Sequence, residues 1–162
     1  MPNRVIISNS TVIIAFSILE KLNILKELYG EIILAQEVYN ELTNGLNKPG
    51  SEITELDWIK VKSVSNIVLI EYLSFNVHKG EAETIAIAEE INADLILLDD
   101  FWARRFAKFR GLKITGTIGI LIKAGKNGLI QELKPLLDKL ILNNFRISPE
   151  LYKEALLIFD EI

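Results

Sequence analysis

The chain of 162 residues has no cysteine, one histidine, one methionine and four prolines. Without cysteine there is no disulfide framework and no thiolate metal site, and a zinc site would need oxygen ligands beside the lone His78. The metals that remain plausible are hard, oxygen-loving cations. A long hydrophobic run is also missing. The longest apolar stretch, Val12 to Leu19, is interrupted by Ser17, and the amino terminus MPNRVIISNS has no charged segment followed by a signal-like apolar run. The expectation is a cytoplasmic protein with no membrane segment. Basic residues are in the minority: 18 Lys and Arg face 22 Asp and Glu, and the net charge of −4 argues against a nucleic-acid binder held by a uniformly basic surface.

Apolar residues are abundant, at 49% of the chain, with a mean hydropathy of +0.26. This length fits one domain, 1–162, with a full apolar core. The surplus of apolar residues predicts that some surface is covered in a homodimer or by a partner. Charge is unevenly spread. From Phe101 to Gln131 there are seven basic residues and no Asp or Glu, while the rest of the chain carries 11 basic and 22 acidic groups. A +7 block therefore sits inside an otherwise acidic chain.

Strands and helices alternate along the sequence. Arg4 to Ser8 reads as a strand, followed by one helix through Ile14, Ile18, Leu22 and Leu25 to Leu28, stopped by Gly30. Glu31–Leu34 is a strand, Gln36–Thr43 a helix, Trp58–Val64 a strand, Asn66–Leu73 a helix and Gly80–Ile91 a longer helix. Asp94–Leu98 is the clearest buried strand. A basic helix, Phe101–Phe109, stops at Gly111; Lys113–Thr115 is a short strand and Thr117–Ala124 a helix ended by Gly125. Helices at about 131–142 and 149–161 pack on the rest, the second opened by Ser148 and Pro149. This order predicts an α/β fold with a mostly parallel sheet, covered on both faces and joined by right-handed crossovers.

In such a sheet the strand ends and the starts of the following helices share one rim, where ligands bind. Asn9 falls at the end of the first strand, Asp99 and Asp100 at the end of Asp94–Leu98, and Glu81 at the start of the helix feeding that strand. Glu41 lies one to two turns into its helix, within roughly 8 Å of the same rim. Clustered carboxylates repel one another and raise at least one pKa, so such a cluster is stable mainly when it holds a cation. Mg²⁺ or Mn²⁺ suits oxygen ligands, acidifies a bound water and offsets charge on a phosphate. Glu81 shares a helix face with Ile85 and Ala88, whereas Glu83 falls with Ile87 and Glu90 on the side expected to face solvent. Asp99 and Asp100 should point in opposite directions; Asp99 is the first choice and Asp100 the alternate ligand.

The segments VIISNSTVI, EVYNELTNG, KGEAETIAIAEEINADLILLDDFWARR, GLKITGTIGILIKAGKNGLI and FRISPELYKEAL together resemble a PIN domain, of a branch similar to VapC-type toxin nucleases. The resemblance implies a three-layer α/β/α sandwich, Rossmann-like in layout, and a Mg²⁺- or Mn²⁺-dependent endoribonuclease. It also implies frequent homodimers and, for toxin members, an antitoxin protein as partner. Its acidic positions fall on Asn9, Glu41, Glu81 and Asp99, and its small hydroxyl position on Ser10 or Thr11. The departure is Asn9, where the family pattern has aspartate: an amide oxygen can still coordinate, but it brings no negative charge.

Each residue also has an ordinary reading. Glu41 can be a solvated helix charge, Glu81 a charge favouring a helix amino terminus, and Asn9 a turn former. His78 reads as a loop residue. The Arg104–Lys113 cluster, with Arg105 and Lys108, is either a phosphate-contacting surface or the solvated face of a helix that buries Trp102, Phe106 and Phe109. Three functions compete: a metal-dependent ribonuclease, a non-cleaving binding module of the same fold weakened by Asn9, and a phosphoacceptor domain. The last is disfavoured because its acid pair belongs after the first strand, where Asn9 stands.

Overall fold

The structure, a computed structural model, describes residues 4–45 and 47–161. Its five strands are β1 (Ile6–Ser8), β2 (Ile32–Ala35), β3 (Ile59–Lys62), β4 (Leu95–Leu97) and β5 (Ile114–Thr115). They form one sheet in the order β3-β2-β1-β4-β5, and all four pairings are parallel. The helices among the described residues are α1 (Ser10–Ile18), α2 (Leu22–Tyr29), α3 (Gln36–Thr43), α4 (Ile67–Leu73), α5 (Lys79–Glu90), α6 (Phe101–Phe109), α7 (Thr117–Lys126), α8 (Lys134–Leu142) and α9 (Pro149–Ile158). The result is a three-layer α/β/α sandwich, as the alternating pattern predicts.

β1 owes its central place to a run with no polar alternation: Ile6, Ile7 and Ser8 are all buried, which suits a strand covered on both faces. From β1 the chain builds outward to β2 and β3, then crosses back to add β4 and β5 on the other side. The strand order reverses between β1 and β4, and the crevice at their carboxyl ends is the expected ligand site of such a sheet. One contiguous core, including Phe16, Leu25, Leu34, Ile85 and Leu97, fills the interior.

Several boundaries differ from expectation by a few residues, and two of the differences are informative. The helix expected from Ile14 to Leu28 is two helices, broken at Glu20, whose φ is 56°, with Lys21 N–H donating to the Phe16 carbonyl at 2.8 Å. The apolar spacing of Ile14, Ile18, Leu22 and Leu25 continues across the break, so periodicity alone conceals it. The helix expected to end at Gly125 runs on to Lys126. Gly125 has a packing role: a Cβ there would lie 1.9 Å from the Phe159 ring, so glycine lets the residue that ends α9 press against α7.

Several acids outside the rim have structural employment. Asp94 accepts from Val5 N–H at 2.6 Å, Glu90 from Ser65 and Asn66 N–H at 2.9 and 2.7 Å, and Glu161 from Leu133 and Lys134 N–H at 2.6 and 2.7 Å. Among the described residues no helix is long and apolar enough to cross a membrane.

Candidate active site

Asn9 ends β1 and is the N-cap residue of α1, with extended backbone (φ −83°, ψ 169°). Its N–H donates to the Leu97 carbonyl at 2.9 Å, tying the end of β1 to β4 at the switch point. The residue is buried, yet its side chain makes no capping hydrogen bond, so the turn-forming reading does not account for it. Ser10 and Thr11 follow in the first turn of α1, both half-buried.

Glu41 comes in from α3. Partial burial raises its pKa, the nearby Ser10 hydroxyl opposes the shift, and Glu37 and Glu83 add to it. Its carboxylate reaches the start of α5 because residue 80 is glycine: a Cβ at Gly80 would fall 2.6 Å from Glu41 Oε1. No periodicity argument singles out Gly80; only the close approach of another element's side chain reveals its role.

Glu81 is the most perturbed group at the rim. It is only 7% exposed, and its Oε2 is buried with no hydrogen-bond partner. Burial comes first among the causes that push its pKa to about 7, followed by the charge and hydrogen-bonding proximity of Asp100 and then the charge of Glu41. The His78 backbone amide pulls the other way. A buried carboxyl oxygen without a donor is costly unless protonated or given a cation.

Asp100, the N-cap of α6, accepts from Ala103 N–H at 2.9 Å through Oδ2. Asp99 is committed differently. Its two oxygens accept from Thr117 N–H at 2.7 Å and from the Thr117 hydroxyl at 2.6 Å, anchoring the start of α7. Burial raises its pKa while Thr117 and Arg104 lower it. The two aspartates thus engage different partners, as strand alternation predicts, but the one beside Glu81 is Asp100, the residue ranked second from sequence.

The expected four-oxygen cage of Asn9, Glu41, Glu81 and Asp99 is not closed: among the described residues no group of three or more His, Asp and Glu side chains converges tightly enough to hold an ion alone. What the structure brings together is the Glu81–Asp100 pair, with Glu41 near enough to raise the Glu81 pKa. That donor set fits Mg²⁺ or Mn²⁺, which bind through one or two carboxylates and retain waters and substrate phosphate.

Three other expectations need correction. Glu83, expected to face solvent, is only 7% exposed and its Oε1 accepts from Glu37 N–H at 3.3 Å, because α5 is covered by α3 as well as by the sheet. Arg104, expected on the solvated face, is half-buried and donates through Nη1 to the Leu98 carbonyl at 2.9 Å. Trp102 and Phe109 are not buried by α6 but are 53% and 87% exposed; of the three rings expected inside, Phe106 packs against the core beside the buried Ala103 and Ala107. Arg105 and Lys108 are exposed, as expected.

A family model described as DUF3368, PIN domain, matches residues 5–161. The chain belongs to the PIN-domain family. A comparison with curated proteins finds no match. PIN domains are a nuclease-type fold, generally hydrolases that act on nucleic acid with divalent metals. The crevice between β1 and β4 is thus the candidate active site of this PIN domain.

Proposed function

We propose that this PIN domain is a Mg²⁺- or Mn²⁺-dependent endoribonuclease, and that the carboxylates of Glu81 and Asp100 hold the ion, with Glu41 completing the acidic wall. The observation that carries the reading is the buried, unpartnered Glu81 Oε2 beside Asp100. Bound there, a divalent cation supplies positive charge against the phosphodiester and makes an adjacent water acidic enough to attack phosphorus. Asn9 contributes an uncharged oxygen at the end of β1, and Ser10 orients the Glu41 carboxylate. Asp99 is a positioning residue: by fixing Thr117 it sets where α7 begins. Arg105 and Lys108, exposed on α6, offer charge to the strand. The likeness to VapC-type nucleases supports a toxin role, with an antitoxin as the natural partner.

A second reading is favoured by Asn9 itself: a non-cleaving, RNA- or protein-binding module of the same fold. The test is cleavage of single-stranded RNA with Mn²⁺ and with chelator. A ribonuclease cuts only with metal and loses activity in Glu81→Gln and in Asp100→Asn. Cutting that persists in chelator and in both variants removes the proposal. Activity that arises only in Asn9→Asp identifies the native chain as the non-cleaving module.

A further inference from the structure

Exposed aromatic residues cluster on α4, on α6 and just after α4, and two of them, Phe75 and Trp102, line the cleft that holds the acid pair. Phe75 is 86% exposed, Phe101 65%, Tyr72 60% and Trp102 53%. Such side chains are costly to leave in water without a partner. Two clefts meet at Trp102. One, of about 340 Å³, is lined by Phe75, Val77, His78, Trp102 and by Glu81 and Asp100 themselves. The other, of about 320 Å³, is lined by Tyr72, Trp102, Arg105, Phe106, Phe109 and Arg110. Trp102 is therefore a wall common to the acidic cleft and to an aromatic, basic one.

The chemistry of the second cleft selects its occupant. Arg105 lies over the Trp102 ring at 5.9 Å, and Phe101 meets Trp102 edge-on at 5.3 Å. The whole stretch from Phe101 to Gln131 carries no acidic residue, so its charge suits a polyanion. Flat π-faces interleaved with cations are how proteins hold single-stranded nucleic acid, the cations following phosphates and the rings taking bases. Arg110 is paired with Glu89, so Arg105 is the cation of this cleft that a purely apolar partner helix would leave unanswered.

Building on the nuclease reading above, we propose that Trp102 and Phe75 form a base-stacking subsite that grips the nucleotides flanking the scissile phosphate. Trp102 takes a base on the acidic side of its wall, and Arg105 with Tyr72 lines the path of the strand beyond it. Substrates then need unpaired bases at the cut, because a base held within a duplex cannot reach either ring.

Binding is measured in chelator, where nothing is cut, using a single-stranded RNA of about eight nucleotides and an abasic strand of equal length and charge. Trp102 reports directly, because Trp58, the other tryptophan, is only 9% exposed. The base-bearing strand is expected to quench the emission and to bind about a hundredfold more tightly than the abasic strand, from two stacking contacts of about tenfold each. Trp102→Leu and Phe75→Leu should each lose about tenfold while melting as the parent does, and Trp102→Phe should recover part of it. Equal affinity for both strands, unaltered in the two leucine variants, overturns the proposal. So does a change in self-association in those variants with RNA binding intact, which marks the patch as an interface between copies. Mn²⁺-dependent cleavage is scored separately: cutting without base preference sinks the stacking subsite alone, and base-dependent binding without cutting sinks the nuclease alone.

Discussion

Gly80→Ala tests the site with little disturbance to the fold. The new Cβ would stand 2.6 Å from Glu41 Oε1 and 3.3 Å from Glu41 Cδ and Val38 Cγ2, against 3.4 Å for ordinary contact. The carboxylate must retreat by about 0.8 Å to restore that distance. It can do so because it is the tip of a flexible side chain on α3, while Val38 yields by a tenth or so. Alanine also favours the helix over glycine by about 0.5–1 kcal/mol, so net stability should change by less than about 1 kcal/mol, or roughly 2–4 °C in Tm. Activity is another matter. Displacing a site group by nearly an ångström costs on the order of tenfold to a hundredfold in rate. The assay is Mn²⁺-dependent cleavage of single-stranded RNA beside a thermal melt, repeated in a Glu41→Gln background. If Gly80 acts only by making room for Glu41, the alanine adds nothing further there. Undiminished cleavage in Gly80→Ala would refute the reasoning by removing Glu41 from the site, and a further loss in the double variant would refute the route through Glu41.

Burial, with Asp100 and Glu41, lifts the Glu81 carboxyl from 4.5 to about 7, so the folded protein keeps a proton that the unfolded chain has released. In chelator its contribution to stability is full below about pH 4.5 and lost as pH rises through about 7, a span worth about 3 kcal/mol; Glu81→Gln should flatten that part of a Tm–pH profile. Mn²⁺ must displace the same proton, so its stabilising effect should be larger at about pH 8 than at about pH 6, read from paired melts. Thr117→Val removes the hydroxyl that Asp99 accepts from at 2.6 Å and should cost about 1–3 kcal/mol in urea unfolding. Asn9→Asp should tighten Mn²⁺ binding, measured by calorimetry, because a carboxylate replaces an amide at the same rim. Phe16→Ala, at a fully buried core position, should destabilise by about 3–5 kcal/mol.

The strand and helix pattern was readable because most elements carry a single clear signal. Gln36–Thr43 and Phe101–Phe109 match the expected helices residue for residue, one bounded by a strand and an Asn-Gly turn, the other by Asp100 and Gly111. What could not be read was decided by tertiary neighbours. Nothing local marks Glu20 as the break between α1 and α2, and Glu83 looks solvent-facing until α3 is laid over α5. At the site, topology correctly brought Glu81 and the Asp99-Asp100 pair to one rim. It could not rank the two aspartates, because the choice rests on Thr117, 18 residues from Asp99, whose N–H and hydroxyl claim that carboxylate. Trp102 was misjudged for a related reason: α6 sits close to the core through the buried Ala103 and Ala107, with Phe106 packed beside them, and leaves Trp102 and Phe109 outside.

Asn9 now has a physical context that its sequence position lacks. An aspartate there would add another charge at the rim where burial, Asp100 and Glu41 already push the Glu81 carboxyl up to about 7. Replacing it with an amide keeps an oxygen at the end of β1 while relieving that repulsion, and so stabilises the metal-free protein. On the proposed nuclease reading the cost falls on the cation, which would be left with the Glu81–Asp100 pair as its main charged anchor. An ion held by so few charges depends on its remaining ligands, and substrate phosphate is the ligand with charge to give. Metal and RNA should therefore bind this site cooperatively, each strengthening the other, where a rim carrying one more carboxylate would hold its ion without the strand.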